Sequence, residues 1–232
     1  MVYITGDTHR DFTRVKYLAK RANPARDDVL IILGDAGINY YGDVDMRDFL
    51  LKSHLSRLPI TLFCVHGNHE QRPESIGTYE EIDWHGGKVY AEPNFPNLLF
   101  AKDGEGYDIA GKRCVVIGGA YSVDKPLRLA HDWGWWPDEQ PSEDIRRRVE
   151  QRLDAENWDV DCVFSHTCPL KYEPVECFLQ GVDEKGVDSS TEEWLDGIEG
   201  KLEYRHWYCG HFHINKTIDR LRFLFQDIIE LS

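Results

Sequence analysis

The chain has 232 residues, a formal net charge of −14 at pH 7, 41% hydrophobic residues and 29% charged residues. This composition is typical of a globular protein, and the length suits one domain over residues 1–232. The negative charge argues against binding of large nucleic acids, because Lys and Arg bind phosphate backbones. No apolar run approaches the roughly 20 residues that cross a bilayer. The N-terminal MVYITGDTHR lacks a secretion signal, so we expect a cytoplasmic protein without membrane contact.

The first third of the chain alternates between two kinds of segment. Apolar runs rich in β-branched residues predict buried strands at VYIT (2–5), VLIIL (29–33) and ITLFCV (60–65). Apolar residues at helical spacing predict helices in DFTRVKYLAKRA (11–22) and DMRDFLLKSHLSRL (45–58). The apolar positions of the second helix are Phe49, Leu50, Leu55 and Leu58. This alternation predicts a parallel sheet with crossover helices.

The pattern changes from Lys88 onward. Short strand-like runs with turns between them indicate an antiparallel continuation and a second sheet: KVYAE (88–92), NLLFA (97–101), GYDIAG (106–111) and RCVVIGG (113–119). Residues 142–155 predict a helix capped by Ser142, with i,i+4 pairs Glu143–Arg147 and Asp144–Arg148. Further strands are predicted at VDCVFSH (160–166) and RHWYCGH (205–211), and a hairpin-like tail at LRFLFQDIIEL (221–231).

Polar residues follow five of the predicted core strands, at the point where each strand ends. They comprise two Asp, one Asn and five His: Asp7, His9, Asp35, Asn68, His69, His166, His211 and His213. Because the carboxyl ends of strands line the ligand crevice of α/β sheets, we expect these side chains to converge. Imidazole and carboxylate ligands without thiolates suit Zn, Mn, Fe and related divalent ions, and argue against a structural zinc site.

Local features support a shared metal site. In Asp7-x-His9 and His211-x-His213, alternate residues of an extended segment point the same way, so each pair can reach one site. The two oxygens of Asp35 make it the natural bridging ligand. Glycines precede Asp7, Asp35, Asn68 and His211, and let the backbone approach closely. A lone Gly-Asp turn or histidine is common without a metal, so the prediction depends on all five motifs occurring together.

The motifs occur in the order D-x-H, G-D, G-N-H-E, a single His and G-H-x-H. In these motifs and their order the chain resembles the calcineurin-like metallophosphoesterases. The resemblance implies an α/β (α+β) fold in which two mixed β-sheets pack as a sandwich flanked by helices. It also implies a dinuclear metal centre at one edge. Position by position, the first metal would be held by Asp7, His9, Asp35 and His213. The second would be held by Asp35, Asn68, His166 and His211.

The resemblance also implies a reaction. A hydroxide bridging two divalent ions would attack the phosphorus of a phosphate mono- or diester, with His69 as the general acid. Glu70 is expected to orient the imidazole of His69. We expect manganese, with Fe, Zn, Ni and Co as alternatives, and a small phosphoester or nucleotide as substrate. Oligomeric state stays open.

Other functions fit parts of the sequence. GDTHRDF and GNHE resemble the protein Ser/Thr phosphatases, but their phosphate-gripping arginines are replaced by Tyr40, Tyr41 and His66. Arg10 and Arg72 are the candidate substitutes, and each is equally well explained as a surface residue. A non-catalytic adaptor of the superfamily would lose His69 or metal ligands, which this chain retains. A nuclease of the superfamily usually adds a capping domain or a DNA-binding partner.

Residues 120–141 are a candidate insertion rich in aromatic residues. Its aromatic side chains could form a lid that stacks on a base or an aromatic leaving group: Tyr121, His131, Trp133, Trp135 and Trp136. The alternative is that they fasten the insertion to the core.

Overall fold

The computed structural model describes residues 1–42, 45–178 and 186–231. Its helices are α1 (Thr13–Ala22), α2 (Met46–Leu55), α3 (Lys125–His131), α4 (Glu143–Ala155) and α5 (Ser190–Glu199). The strands in the first half are β1 (Val2–Thr5), β2 (Val29–Ile32), β3 (Thr61–Cys64), β4 (Glu80–Trp84), β5 (Gly87–Ala91), β6 (Leu98–Ala101) and β7 (Gly106–Ile109). The remaining strands are β8 (Lys112–Ile117), β9 (Cys162–Ser165), β10 (His206–Cys209), β11 (Lys216–Ile218), β12 (Leu221–Phe223) and β13 (Ile228–Glu230).

The described strands form two mixed sheets, as expected. The first has the order β13-β1-β2-β3-β6-β5-β4, and β1, β2, β3 and β6 run parallel within it. The second has the order β11-β12-β10-β9-β8-β7, and β12, β10, β9 and β8 run parallel. Strand ends are level, because Thr5 pairs with Ile32 and Ile32 with Cys64. This alignment brings the residues after β1, β2 and β3 to one edge.

Side chains alternate between the two faces of each strand, and the buried ones form three layers of core. Ile31 and Phe63 of the first sheet and Val116 and Phe164 of the second belong to the cluster between the sheets. The opposite faces of the strands pack under the helices, against α1 and α2 on the first sheet and α4 and α5 on the second. Fully burying one such side chain contributes about 1.5–3 kcal/mol, so these clusters stabilise the sandwich that carries the site at its edge.

The α2 helix buries a different face from the one its apolar residues predict. Leu55 is buried as expected, but Phe49 is 44% exposed and Leu50 is 51% exposed. The buried positions include Asp48 and Lys52. Asp48 forms an ion pair with Arg10, and Lys52 forms one with Glu92 at 2.5 Å. Because each of these buried charges is paired, the helix can turn this face inward.

Two further local predictions are wrong. The tail does not form a hairpin: β12 pairs with β10 and β11 in the second sheet, whereas β13 pairs antiparallel with β1 in the first. The edge of β1 that does not face β2 is free to pair, so β13 forms its backbone hydrogen bonds there and not with β12.

The predicted cap of α4 is confirmed, because Ser142 Oγ accepts from Ile145 N at 3.3 Å.

The second wrong prediction concerns the charged face of α4. Arg148 does not pair with Asp144, because its Nε donates to the carbonyl of Asp103 at 2.9 Å. Asp144 pairs instead with Arg147, at i,i+3 and 3.0 Å. Among the described residues, no helix is both long and apolar enough to cross a membrane.

Candidate metal centre

The residues that follow β1, β2, β3, β9 and β10 meet at one edge of the sandwich. Backbone hydrogen bonds join these strand ends: His9 N donates to Asp35 O at 2.8 Å, and Gly210 N donates to His166 O at 2.9 Å. Three groups of ligand atoms each lie within 4.8 Å of one another: Asp7–His9–His213, His9–Asp35–His69 and Asp7–Asp35–His166. The convergence expected from the strand ends is therefore present.

The first half of the site combines a buried carboxylate with two accessible imidazoles. Asp7 Oδ2 lies 3.3 Å from His213 Nε2 and 3.7 Å from His9 Nε2. The two imidazole nitrogens are 2.8 Å apart. Asp7 Oδ2 is buried and receives no hydrogen bond of normal geometry. An unsatisfied buried carboxylate oxygen facing two ring nitrogens is the arrangement that a cation would complete.

Asp35 joins the two halves of the site. Its Oδ2 lies 3.8 Å from His9 Nε2, and its Oδ1 lies 3.6 Å from His166 Nε2. Oδ1 also accepts from the backbone N of His69 at 2.8 Å. One oxygen therefore faces each half, which is what a bridging ligand requires.

In the second half, an imidazole nitrogen faces an amide oxygen. His166 Nδ1 lies 2.8 Å from Leu33 O, which can only accept, so we place a proton on Nδ1. Its Nε2 lies 2.8 Å from Asn68 Oδ1. The Asn68 amide nitrogen donates to Ser122 Oγ at 2.8 Å, which fixes the oxygen toward His166. Imidazole nitrogen and amide oxygen are both ligand types that divalent ions accept, so these converging residues fit a metal.

His211 lies beside His166 in this half of the site, but it belongs to none of the three groups of ligand atoms. Its ring lies 5.0 Å from that of His166, centroid to centroid, and its backbone N donates to Asp7 Oδ1 at 3.0 Å. Burial and the His166 ring lower the pKa of His211 to about 3, so at neutral pH its nitrogens are free of an extra proton. A neutral imidazole is the form that binds a metal.

Both aspartates are held in their charged form. Burial alone would raise their pKa values, but the surrounding imidazoles more than offset it and lower the pKa of Asp7 and of Asp35. Two buried carboxylates close together give a local negative charge that attracts divalent cations.

The backbone at this edge is left-handed at several ligands, with φ of 43° at His9, 46° at Asp35, 64° at His211 and 52° at His213. The expectation of extended D-x-H and H-x-H segments is therefore wrong, although both pairs reach the site. Non-glycine residues in this region store strain, which clusters at functional sites.

Two glycines make room for ligands of other strands. A Cβ on Gly67 would lie 2.0 Å from Asp35 Oδ1, and a Cβ on Gly210 would lie 2.3 Å from Asp7 Oδ1. The carboxylates thus occupy the space that a side chain would fill, as the glycines in the motifs predict.

Glu70 does not orient His69 as expected. Its buried carboxylate accepts from Ala36 N and from Ile38 N, both at 3.1 Å. The backbone after Asp35 has left the sheet, so these N–H groups need acceptors, and Glu70 supplies them. Glu70 therefore holds the loop that carries Asp35.

His69 has different neighbours from those expected. Arg128 Nη2 lies 2.5 Å from its Nδ1, and Asp124 Oδ1 lies 3.9 Å from its Nε2. Burial lowers the pKa of His69, and Arg128 adds to this effect while Asp35 and Asp124 oppose it. The ring centroid is 5.2 Å from that of His9, so His69 borders the ligand cluster.

The two candidate substrate arginines make structural contacts. Arg10 Nη1 donates to Asp48 Oδ1 at 2.5 Å and to Gly37 O at 2.7 Å. Arg72 is 4% exposed, and its Nη1 donates to Asp103 Oδ2 at 2.7 Å. Both guanidinium groups are engaged in ion pairs that hold loops.

Sequence reasoning missed Ser122 and Arg128, which lie within 120–141. No motif marks either residue, and the nearest signal was the predicted insertion itself. Its aromatic side chains divide: Trp133 is 53% exposed and stacks on His131, whereas Trp135 Nε1 donates to Glu139 at 2.9 Å. The ring of Trp136 fits against Gly42, where an added Cβ would be 2.4 Å away.

The sequence matches the family model of the calcineurin-like phosphoesterases over residues 1–215. The chain belongs to this family, and it is a metal-dependent phosphoric ester hydrolase. No curated protein matches it. The match spans every motif residue described above, from Asp7 to His213.

Proposed function

We propose that this protein hydrolyses small phosphate mono- or diesters with two divalent ions held at the edge of the sandwich. The observation that carries the proposal is Asp35, whose two oxygens face His9 and His166 at 3.8 and 3.6 Å. Asp7, His9 and His213 complete one site, and Asn68, His166 and His211 complete the other. Manganese is the proposed ion, with Fe, Zn, Ni and Co as alternatives.

Bound metals would supply charge neutralisation for the phosphate and a water molecule that ionises near neutral pH. The chain's own residues supply the rest. Asp35 Oδ1 fixes the backbone of His69, and Glu70 fixes the loop of Asp35, so the imidazole is held beside the ligands. His69 is proposed to protonate the leaving oxygen. A phosphate dianion near the ring favours the imidazolium that this step needs.

The test is an assay of the protein reconstituted separately with each candidate metal. Substrates are a chromogenic phosphomonoester, its diester, and cyclic and linear nucleotides. Asp35→Asn should lose both metals and turnover. Asp83→Asn is the control, because the Asp83 side chain is 87% exposed. Loaded protein that hydrolyses none of these esters would contradict the proposal.

A further inference from the structure

Arg128 presents a fixed positive charge to the edge of the metal centre. Its Nη2 lies 2.5 Å from Nδ1 and 3.4 Å from Nε2 of His69. A ring nitrogen of His69 in turn lies within 4.8 Å of ligand atoms of His9 and Asp35. One imidazole therefore separates the guanidinium group from the candidate ligands.

The rest of the side chain is held in place. Nε donates to Asp124 Oδ1 at 2.8 Å, and Nη1 donates to the carbonyl of Gly134 at 2.9 Å. Arg128 is only 6% exposed, and burial opposes its charge, yet the bond to Asp124 and the nearby Tyr40 hydroxyl raise its pKa. A charge that is preorganised in this way loses little entropy when it binds a ligand.

Nη2 points toward the centre, where its neighbour is an imidazole nitrogen of His69. A phosphate oxygen is a stronger acceptor than an imidazole nitrogen, because both partners are then charged. Arg10 and Arg72 also donate to carboxylates, those of Asp48 and Asp103, whereas Arg128 in addition reaches the ring of His69.

We propose that Arg128 binds an oxygen of the substrate's phosphate beside His69, and that Asp124 positions its guanidinium group. This inference deepens the proposed function and rests on it. It assigns phosphate recognition to α3, an element outside the metal-ligand motifs, and gives residues 120–141 a direct part in substrate binding.

Titration of inorganic phosphate into metal-loaded protein, followed by calorimetry, tests the proposal without any turnover. Arg128→Gln removes the charge and should weaken phosphate binding about tenfold or more. Arg128→Lys keeps the charge but not the planar fork, and should bind phosphate more weakly than the wild type and more tightly than Arg128→Gln. The metal content of both variants should match the wild type.

Arg147→Ala is the control, because this arginine is 65% exposed on α4 and pairs only with Asp144 in the described structure. It should bind phosphate as the wild type does. Wild-type affinity in Arg128→Gln, an equal loss in Arg147→Ala, or no phosphate binding by the wild type would overturn the proposal. If Arg128→Gln fails to fold, a wild-type affinity of Arg128→Lys for phosphate would overturn the proposal.

Two further outcomes separate this inference from the proposed function. A lower kcat in Arg128→Gln with unchanged phosphate affinity would mean that Arg128 only orients His69, which overturns the inference. Arg128-dependent phosphate binding by a protein that hydrolyses no ester would refute the proposed function and leave the phosphate site intact.

Discussion

Gly67 offers the sharpest test of how the site is built, because the Asp35 carboxylate occupies the space of its missing side chain. A Cβ there would lie 2.0 Å from Asp35 Oδ1 and 2.2 Å from Asp35 N. To restore an ordinary contact of about 3.4 Å, the carboxylate oxygen must shift by roughly 1.4 Å and the backbone N of Asp35 by roughly 1.2 Å. The backbone of Gly67 is outside the left-handed region, so the effect is one of space alone.

Gly67→Ala should therefore displace Asp35, the proposed bridging ligand. Overpacking of this kind costs about 1–3 kcal/mol of unfolding free energy. A misplacement of about 1 Å lowers turnover roughly 100-fold. Elemental analysis should find less than the wild-type metal content, and urea unfolding should show the reduced stability.

Gly77→Ala is the matched control, because nothing lies within 4 Å of a Cβ at Gly77 and its φ is not positive. It should keep wild-type metal content, stability and turnover. A Gly67→Ala protein with full metal content and full activity would refute the reasoning.

Three other variants test separate parts of the account. Burial raises the pKa of Glu192 from its ordinary value of 4.5 to about 7 in the folded protein. The free energy of unfolding therefore falls as the pH rises from about 4.5 to 7. Glu192→Gln should be more stable than the wild type by about 3 kcal/mol at pH 8 and equal at pH 4 in urea unfolding, and parallel pH profiles would contradict this. His69→Ala should keep its metals and lose about 10²–10⁴-fold in kcat, most for esters with poor leaving groups; undiminished kcat would exclude the acid role. Ser122→Ala frees the Asn68 amide and should weaken one metal site about 10–100-fold in a metal titration, whereas unchanged affinity at both sites would show that the serine bond is dispensable.

The residues that converge at this edge were predictable because their signals are local. An apolar run such as Ile60–Val65 ends in a polar cluster, and parallel strands carry such clusters to one edge. The alignment of Thr5, Ile32 and Cys64 then follows from pairing in register. The order of apolar runs and polar clusters in the sequence was therefore enough to predict this edge of the sheet and the residues that meet there.

Contacts between distant segments were not predictable. The buried face of α2 depends on Arg10 and Glu92, which pair with Asp48 and Lys52 far along the chain. We expected the Glu70 carboxylate to contact the imidazole of His69. Both of its oxygens instead accept hydrogen bonds from backbone N–H groups more than 30 residues away in the sequence. Arg128 follows the same rule, since 59 residues separate it from His69.

The central claim is that the converging residues hold two metal ions, and anomalous diffraction from crystals of manganese-loaded protein tests it most directly. The account predicts two peaks about 3.5–4 Å apart with Asp35 between them. One peak should contact Asp7, His9 and His213, and the other should contact Asn68, His166 and His211. A single peak, or peaks away from Asp35, would contradict the account.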